Sequence, residues 1–277
     1  MPLHCRDIRV ALTTALLSCA ASASAFAGMN DIRSSDNAVF FSVGGSYMDY
    51  WETDATTGRT ADSERGWLPT VRAGADVLAS NQARGPLRNL YLHVDTSVST
   101  GSTAYKGALL DGTPYSGTTN DTIWTTSGRI GRAFALGSQA MLIPFAELGY
   151  RRWDRDVGYT EIYDNWSMMG GLLAQYSPVA KWVISASAAA GTTFDANMHA
   201  NGPFNAEFNL GDELTWRVGG QVGYAVTRRL EAITSVELTR LGFGSSPAVA
   251  TDQGYFYEPN SQTYQTTLMV GLAYHFF

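Results

Sequence analysis

The fold is easiest to recognise at residues 67–79, which read WLPTVRAGADVLA. Trp67 and Val77 share one parity with apolar and small side chains between them, whereas Arg72 and Asp76 fall on the other parity. A period of two is typical of a β-strand whose two faces meet different surroundings. The segment therefore predicts a strand with an apolar face that begins at a tryptophan and a polar face that carries charge.

The same alternation recurs along the chain in segments of about ten residues, separated by clusters of Gly, Ser, Thr, Asn and Asp. No stretch beyond residue 28 reaches the roughly 18 to 20 consecutive apolar residues of a membrane-spanning helix. The sequence therefore predicts an all-β chain of ten strands. They cover residues 39–47, 67–79, 90–98, 124–134, 142–151, 166–176, 182–188, 214–224, 232–239 and 267–276.

Aromatic residues decide between two all-β architectures. A soluble sandwich buries its large apolar side chains, whereas a membrane barrel turns them towards lipid and carries aromatic girdles at both interfaces. Alternate strands here begin with a tryptophan on the apolar face, and most of them end with another aromatic residue about one membrane crossing later. We therefore expect a ten-stranded antiparallel up-and-down transmembrane β-barrel. The predicted girdle residues are Trp67, Trp124, Trp166, Trp216, Phe134, Tyr176, Trp182, Tyr224 and Tyr274.

Composition excludes one class of partner. The 277 residues are 45% hydrophobic, 12% aromatic and only 16% charged, below the roughly 25% charged residues of an ordinary soluble domain. The formal net charge is −6, so the chain offers no basic face for the phosphates of a nucleic acid.

The N-terminal segment, residues 1–27, is interpreted as a secretory signal peptide. Its basic start precedes an Ala-rich apolar stretch, and Ala25-Phe26-Ala27 fits the small-x-small rule for cleavage. Residues 28–37 are then expected to form a short periplasmic N-terminal tail, and residues 38–277 the barrel in the cell outer membrane.

Both cysteines, Cys5 and Cys19, lie in the predicted signal peptide. The mature chain therefore has neither a disulfide framework nor a thiolate metal site, and we expect no metal and no cofactor. An alternative interpretation takes residues 16–19, Leu-Leu-Ser-Cys, as a lipoprotein cleavage box in which Cys19 is lipidated.

Connection lengths predict the orientation. Short turns of such barrels usually lie in the periplasm and long loops outside the cell. Both termini then fall in the periplasm, as an even number of strands requires. The short connections are 79–89, 137–140, 177–181 and 227–230, and the long ones are 52–65, 104–122, 152–161, 194–213 and 241–263.

Charged side chains on the polar parity are predicted to form an ionic belt that plugs the lumen near mid-height. A ten-stranded lumen is only slightly wider than the eight-stranded one that side chains can fill. The alternative is a narrow solute channel whose charged constriction selects its solutes. The predicted belt residues are Arg72, Asp76, His93, Asp95, Arg129, Glu147, Arg151, Arg217 and Glu237.

The chain ends on Tyr274-His275-Phe276-Phe277. With the signal peptide and the ten alternating segments, this end resembles the small Gram-negative outer-membrane β-barrel proteins of the OmpA-transmembrane and opacity-protein type. The resemblance covers residues 38–277 and implies that the barrel-assembly machinery reads the terminal strand. The usual tail places Phe last on the lipid face. Here Tyr274 and Phe276 hold that face and Phe277 is extra, so the expected assembly signal is displaced by one residue.

The sequence does not predict an enzyme. As families, outer-membrane lipases and deacylases place a Ser/His pair on the lipid-facing wall, and barrel proteases of the omptin type carry acidic pairs and a His at the extracellular rim. His93 and His275 are predicted to face the lumen, and His199 lies in a long loop. A barrel hydrolase is therefore kept only as a second alternative. The acidic loop residues expected to be solvated are Glu52, Asp54, Asp62, Glu64, Glu207, Asp212, Glu213, Asp252 and Glu258.

Arg152 and Arg240 fall on the lipid-facing parity at the outer ends of strands five and nine. Arginine binds phosphate groups bidentately, so both are predicted lipopolysaccharide contacts. The alternative is that both reach from the rim into water. We expect a non-enzymatic surface protein whose long loops act on an unidentified extracellular ligand, in adhesion, host contact or envelope structure.

Overall fold

The structure, a computed structural model, describes residues 28–54, 57–108, 113–202, 205–252 and 254–276. The predicted signal peptide with Cys5 and Cys19, and the terminal Phe277, lie outside the described residues. The elements are the helix α1 (Met29–Ser35) and the strands β1 (Asn37–Thr53), β2 (Thr60–Leu78), β3 (Leu90–Ala108), β4 (Pro114–Arg132), β5 (Phe134–Leu136), β6 (Ala140–Asp156), β7 (Thr160–Tyr176), β8 (Trp182–Asn201), β9 (Asn205–Leu210), β10 (Leu214–Ala225), β11 (Leu230–Phe243), β12 (Val249–Thr251), β13 (Gly254–Phe256) and β14 (Asn260–His275).

Ten strands of the described chain close into one antiparallel barrel, which confirms the predicted fold class. Their order is β1, β2, β3, β4, β6, β7, β8, β10, β11 and β14, and β14 pairs back onto β1. The closing register joins Ala38 to His275 and Thr53 to Asn260. Closure removes the free strand edges, so the backbone groups of the membrane-spanning strands pair with one another.

The shorter strands extend the barrel locally. β5 continues the line of β4 past Ala133 and pairs with β6. β9 folds back onto the end of β8 as a hairpin, and β12 pairs with β13 in a second hairpin. Both hairpins lie at the end of the barrel opposite the short turns.

Most barrel strands are longer than a membrane crossing requires. β1 and β6 have 17 residues, and β2, β3 and β4 have 19 each, whereas a tilted strand crosses with about 9 to 11. The excess lies at one end, where β3 runs to Ala108 and β4 begins at Pro114, inside the predicted loop 104–122. The prediction of long loops is therefore corrected: the alternation continues beyond the girdle and builds a wall of β-sheet. Because short turns lie in the periplasm, this wall is extracellular.

The apolar parity faces outwards between the two girdles. Phe41 is 55% exposed, Trp67 54% and Ile130 56%. A continuous apolar band of this kind is unfavourable in water and matches the lipid-facing band of a membrane barrel. The barrel is thus apolar outside and polar inside, as the sequence predicted. No helix in the described part of the chain is long and apolar enough to cross a membrane.

Residues 28–37, expected to be a tail, instead contain α1, which packs into the periplasmic mouth of the barrel. Ile32 is fully buried in an apolar cluster with Leu78 and Met141. The helix has only 7 residues, too few for propensity alone to stabilise it, so packing against the barrel must hold it. Such a short segment carries no readable period, and the sequence therefore predicts no structure for it.

Hydrogen bonds also attach α1 to the barrel wall. Arg33 donates to the side-chain oxygen of Asn89 at 2.6 Å and to the carbonyl of Ala79 at 3.3 Å. The hydroxyl of Ser34 lies 2.9 Å from Nδ1 of His275 on the last strand. These bonds lie at strand ends on either side of β1, whereas the Met29 N–H donates to the carbonyl of Ser138 beside β6 at 2.7 Å. The helix α1 therefore bridges the mouth rather than lying along one side.

Candidate functional site

Eight of the nine predicted lumen residues form one connected chain of ion pairs at mid-height, called here the ionic belt. Inward-facing positions recur at every second residue, so neighbouring strands bring these side chains to the same height. Each of the eight side chains is at most 18% exposed. In the order in which they touch, they are Asp76, His93, Asp95, Arg72, Glu237, Arg217, Glu147 and Arg129.

The ionic belt crosses the lumen as well as following its wall. Arg72 on β2 lies 3.5 Å from Asp95 on the neighbouring strand and donates to Glu237 on β11 at 3.1 Å. Arg217 on β10 contacts Glu147 on β6 and approaches Glu237 at 3.8 Å. Two strands separate β2 from β11, and two separate β6 from β10. These contacts between non-adjacent strands therefore close the interior.

The remaining contacts complete the ionic belt at its two ends. Arg129 Nε donates to Glu147 at 2.6 Å, and the Glu147 side chain is almost fully buried. His93 lies between two carboxylates, with Nδ1 2.9 Å from Asp76 and Nε2 3.3 Å from Asp95. Every charge in the belt therefore has an opposite or titratable partner, as burial requires.

Two cavities lie on either side of the ionic belt. The periplasmic cavity has a volume of about 130 Å³ and reaches down to Gln175. The extracellular cavity has a volume of about 80 Å³ and reaches up to Thr215. Arg72, Asp95 and Glu237 line both cavities, so the belt is the partition between them.

Arg151, the ninth predicted belt residue, is not joined to the belt, which corrects the prediction for this position. Arg151 lies on β6 above Glu147, with its guanidinium 5.4 Å from the ring centre of Trp153. It is 7% exposed, and neither terminal nitrogen donates a hydrogen bond to any described residue. It lines the extracellular cavity instead.

A second buried charged cluster lies inside the extracellular wall. Arg155 at its centre is 2% exposed and donates to Glu64 at 2.7 Å and to Glu161 at 2.8 Å. Glu52 and Asp62 lie 3.6 and 3.8 Å from the same guanidinium. The Arg155 cluster is defined as Arg155, Glu52, Asp62, Glu64, Asp121, Glu161 and Glu258.

Four of the acidic residues expected to be solvated belong to this cluster, so that expectation is wrong for Glu52, Asp62, Glu64 and Glu258. Glu64 is fully buried, and Glu52 and Glu258 are nearly so. The sequence does indicate this placement. Met48 faces inwards, and every second residue after it, up to Glu52 beyond the girdle, faces inwards as well. The others, which are exposed or partly exposed, are Asp54, Glu207, Asp212, Glu213 and Asp252.

The Arg155 cluster holds several carboxyl groups around one arginine, and the pKa values of four of them are raised. Burial, with the nearby charge of Glu64, raises the pKa of Asp121 to about 7. Burial, with a neighbouring carboxylate, raises the pKa of Glu258 to about 8. Burial also raises the pKa of Glu52 and of Asp62. One arginine cannot neutralise this many carboxylates in a dry interior, so protons must neutralise some of them.

Glu64 is the exception within the cluster. Burial alone would raise its pKa, but the Arg155 guanidinium and the hydroxyls of Thr103 and Thr119 outweigh burial and lower the pKa. Thr103 donates to Glu64 at 2.6 Å, and Thr119 also contacts it. Glu64 is therefore the ionised partner of Arg155.

Aromatic side chains pack around the Arg155 cluster and form the aromatic cap (Tyr50, Trp153 and Tyr163). Tyr50 and Trp153 meet edge-on at 5.0 Å, and Trp153 stacks on Tyr163 at 5.1 Å. Trp153 Nε1 donates to Asp121 at 2.7 Å, and the Tyr163 hydroxyl donates to Glu258 at 2.5 Å. The extracellular end of the lumen is thus a packed core.

The two predicted lipopolysaccharide contacts both have acidic neighbours. Arg152 Nε lies 3.0 Å from Asp154, and its side chain is 41% exposed. Arg240 donates to the carbonyl of Leu214 and lies 3.8 Å from Glu213, with its side chain only 13% exposed. Lipopolysaccharide contact stays a prediction, and Arg152 is the better placed of the two.

The predicted girdle residues lie on the outer face in two rings. In the upper ring, Trp67 packs against Tyr47 at 5.5 Å, and Trp216, which is partly covered, meets Tyr264 at 6.0 Å. In the lower ring, Trp182 packs against Tyr224 at 4.8 Å. The other outward-facing members are Trp124, Trp166, Phe134, Tyr176 and Tyr274.

The predicted assembly signal is described only in part. Tyr274 and Phe276 are both exposed on the outer face, as predicted, whereas Phe277 lies outside the described residues. Recognition of this strand by the barrel-assembly machinery stays a prediction.

The three described histidines lie far from one another. His93 is in the ionic belt, and His275 lies 2.7 Å from Glu231 at the periplasmic end. His199 is exposed and lies 2.9 Å from Asn201 at the extracellular rim. Within the described residues, no three His, Cys, Asp or Glu side chains are arranged to hold a metal ion.

These features define the class of protein: the chain is a small outer-membrane β-barrel of the Gram-negative type. No family model and no curated protein matches it. Among solved structures, it is similar to the outer membrane protease OmpT from Escherichia coli, with 11% identity and a TM-score of 0.61 over 91% of this chain and 99% of that chain. At this identity the similarity concerns the fold alone.

Two further solved structures have lower TM-scores. Neisserial surface protein A (NspA) is 12% identical with a TM-score of 0.36, over 86% of this chain and 97% of that chain. The Pseudomonas putida toluene transporter TodX is 10% identical with a TM-score of 0.32, over 86% of this chain and 90% of that chain.

Proposed function

We propose that the chain is a non-conducting and non-enzymatic surface protein of the outer membrane that acts through its extracellular wall and rim. The ionic belt is the observation that carries this proposal. Its contacts from Arg72 to Glu237 and from Arg217 to Glu147 run across the lumen. A solute would have to separate buried opposite charges to pass, and breaking one such pair costs about 3–5 kcal/mol.

Two further layers support a closed lumen. α1 fills the periplasmic mouth with the buried Ile32, and the aromatic cap packs the extracellular end. A path through the barrel would have to open all three layers: α1, the ionic belt and the aromatic cap. These layers differ in chemistry.

Two arrangements support a non-enzymatic role. The Arg155 cluster has carboxyls with raised pKa, which can act as acids. However, Arg155 and all of the carboxylates except Asp62 are buried inside the extracellular wall, away from a polymeric substrate. His93, His199 and His275, the described histidines, all lie outside this cluster, so none can serve as a base beside it.

The extracellular rim offers the surface through which the protein would act. Tyr255 is 81% exposed at the tip of the β12–β13 hairpin, with Tyr257 beside it at 43%, and Tyr115 near the start of β4 is 44% exposed. Exposed tyrosines supply large contact area at low entropic cost and are enriched at recognition surfaces. This rim fits adhesion or host contact better than passive envelope structure.

A narrow channel is the second candidate, and one observation favours it. The cavities of about 130 and 80 Å³ meet at the same three belt residues. Displacement of the side chains that the two cavities share would join them into a longer path.

Liposome swelling separates the two candidates. Liposomes containing the wild-type protein are expected to exclude small sugars, as empty liposomes do. A variant that lacks residues 28–36 should also exclude them, because the belt remains. Adding Arg72→Ala and Arg217→Ala to that deletion opens two of the three layers, and only with Trp153→Ala in the aromatic cap as well should the liposomes admit small sugars. Wild-type liposomes that swell at the rate of porin liposomes would overturn the proposal.

The rim is tested on living cells. Bacteria that display the Tyr255→Ser, Tyr257→Ser double variant should adhere several-fold less to epithelial monolayers than bacteria that display the wild type. Tyr176→Ser, at the periplasmic girdle, is the matched control and should leave adherence unchanged. Equal adherence of the wild type, the double variant and the control would contradict a role of the rim tyrosines in adhesion.

A further inference from the structure

Arg151 is the one arginine on the inner face of the described barrel strands that has no ion pair. The side chain is more than nine-tenths buried, and both terminal nitrogens lack a hydrogen-bond acceptor among the described residues. Its contact with the ring of Trp153 at 5.4 Å offers a cation–π interaction, which is far weaker than an ion pair in a dry interior. A buried guanidinium of this kind calls for an anion.

The cavity beside Arg151 has the size and the lining of a small polar site. Its volume is about 80 Å³, against roughly 30 Å³ for one water molecule. The buried hydroxyl of Thr263 and the buried amide oxygen of Asn165 also line it without hydrogen-bond partners among the described residues. A hydroxyl donates readily to an anion, whereas the Asn165 NH₂ group already donates to the carbonyl of Trp166 at 3.1 Å.

The acids near the cavity are already engaged. Asp95, Glu147 and Glu237 line its floor, and each contacts an arginine of the ionic belt. The belt contributes three arginines to these three carboxylates, so Arg151 remains as one additional positive charge.

Asp121 acts on Arg151 only at a distance. Its Oδ1 accepts from Trp153 Nε1, and its Oδ2 lies 2.8 Å from the Thr103 hydroxyl. It makes no ion pair with Arg151 among the described contacts, and burial raises its pKa to about 7, so it is a poor counter-charge at neutral pH.

We propose that the extracellular cavity binds one small monovalent anion of the halide class, held by the terminal nitrogens of Arg151 and the hydroxyl of Thr263. One negative charge balances the one unpaired guanidinium. A divalent anion would bring a second charge that no described group balances, and an organic anion such as gluconate is too bulky for the cavity. The site does not depend on the proposed surface function, because the anion stabilises the lumen and not the rim.

Thermal unfolding in detergent tests the site. The wild-type protein, refolded in sodium gluconate, is titrated with sodium bromide at constant ionic strength while its Tm is measured. We expect a saturable rise in Tm, because a ligand that binds only the folded state stabilises it. Arg151→Met should abolish the rise. Arg152→Met, which changes the neighbouring outward-facing arginine, should preserve it.

A second readout is whether Arg151→Met unfolds at a higher or a lower temperature than the wild type in gluconate. Without a fitting anion, Arg151→Met removes an unpaired buried charge and should unfold at the same temperature as the wild type or higher. With bromide the order should reverse. A rise in Tm of equal size in the Arg151→Met variant would overturn the proposal.

Anomalous diffraction from bromide-soaked crystals of the wild-type protein decides the question even if Arg151→Met does not fold. We expect one peak within hydrogen-bond distance of the Arg151 guanidinium. Density for water alone at this position, together with a Tm that bromide does not change, would show that the cavity is simply hydrated.

Discussion

The ionic belt and the Arg155 cluster are two buried charged layers of one barrel, and they balance charge in different ways. In the belt, three arginines and His93 face four carboxylates. In the Arg155 cluster, one arginine faces six carboxylates. The belt lies at the depth of the bilayer and is balanced by side chains, whereas the cluster lies above the membrane and depends on protons. We therefore expect the stability of the extracellular end to depend on pH, and the stability around the ionic belt not to depend on it.

Removing a carboxylate that two arginines of the ionic belt share should cause the largest loss of stability. Glu147→Gln leaves the guanidinium groups of Arg129 and Arg217 without their shared carboxylate in a buried site. We expect a loss of about 3–5 kcal/mol in the free energy of unfolding, measured by urea unfolding in detergent. Glu207→Gln at the exposed rim is the matched control and should change little. A loss below about 1 kcal/mol, as for an exposed ion pair, would contradict the belt.

Removing the centre of the Arg155 cluster should have a smaller effect that depends on pH. Arg155→Met leaves Glu64 and Glu161 without their counter-charge, at a cost of about 3 kcal/mol at pH 8 and less at pH 5, where protons replace the arginine. Hydrogen exchange of the extracellular strand ends should accelerate, while exchange around the belt should not. Uniform acceleration along whole strands would show that the two layers are not independent.

The pH dependence of the wild type follows from Asp121 and Glu258. Their folded pKa values of about 7 and about 8 lie above the ordinary values of 3.8 and 4.5, so the folded extracellular end binds more protons than the unfolded chain. Its stability should therefore fall as pH rises from about 4 to about 8, because the folded state holds protons that the unfolded chain has already lost.

Hydrogen exchange at a series of pH values measures this dependence. Glu258→Gln and Asp121→Asn should each flatten the pH profile of the extracellular end, because an amide does not titrate. Asp252→Asn, which changes an exposed residue, should leave the profile as it is. Stability that rises between pH 5 and pH 8 would contradict the assignment of protons to the Arg155 cluster.

The smallest effect is expected outside both layers. Asp154→Asn removes the partner of Arg152 at an exposed site, and exposed pairs contribute about 0–1 kcal/mol. We expect the free energy of unfolding to change by less than about 0.5 kcal/mol. A larger loss would mean that this pair is buried by lipid or lipopolysaccharide and acts as part of the barrel wall.

The sequence predicts the barrel well because one physical constraint acts at every second residue. Residues 67–79 alternate since lipid lies on one side and a polar lumen on the other, and the same rule places Arg72 and Glu147 inside. The strands predicted from this rule end at the girdle, however, because the polar residues beyond it are typical of loops. Continuing the alternation to Glu52 and Arg155 predicts the buried extracellular cluster.

Two features could not be predicted from the period at all. α1 is stabilised by burial of Ile32 against strands that are distant in sequence, and nothing local in seven residues indicates that contact. The link from Arg72 to Glu237 joins strands that are not neighbours. Alternation gives the face on which a side chain lies, but not which side chain it meets across the lumen.

Single-channel recording in planar lipid bilayers tests the closed lumen most directly. The wild-type protein, inserted at high salt, should give no stepwise current above that of the bare membrane, because the ionic belt, α1 and the aromatic cap each block the path. Reproducible steps of uniform size from the wild-type protein would contradict the account and establish a channel in its place.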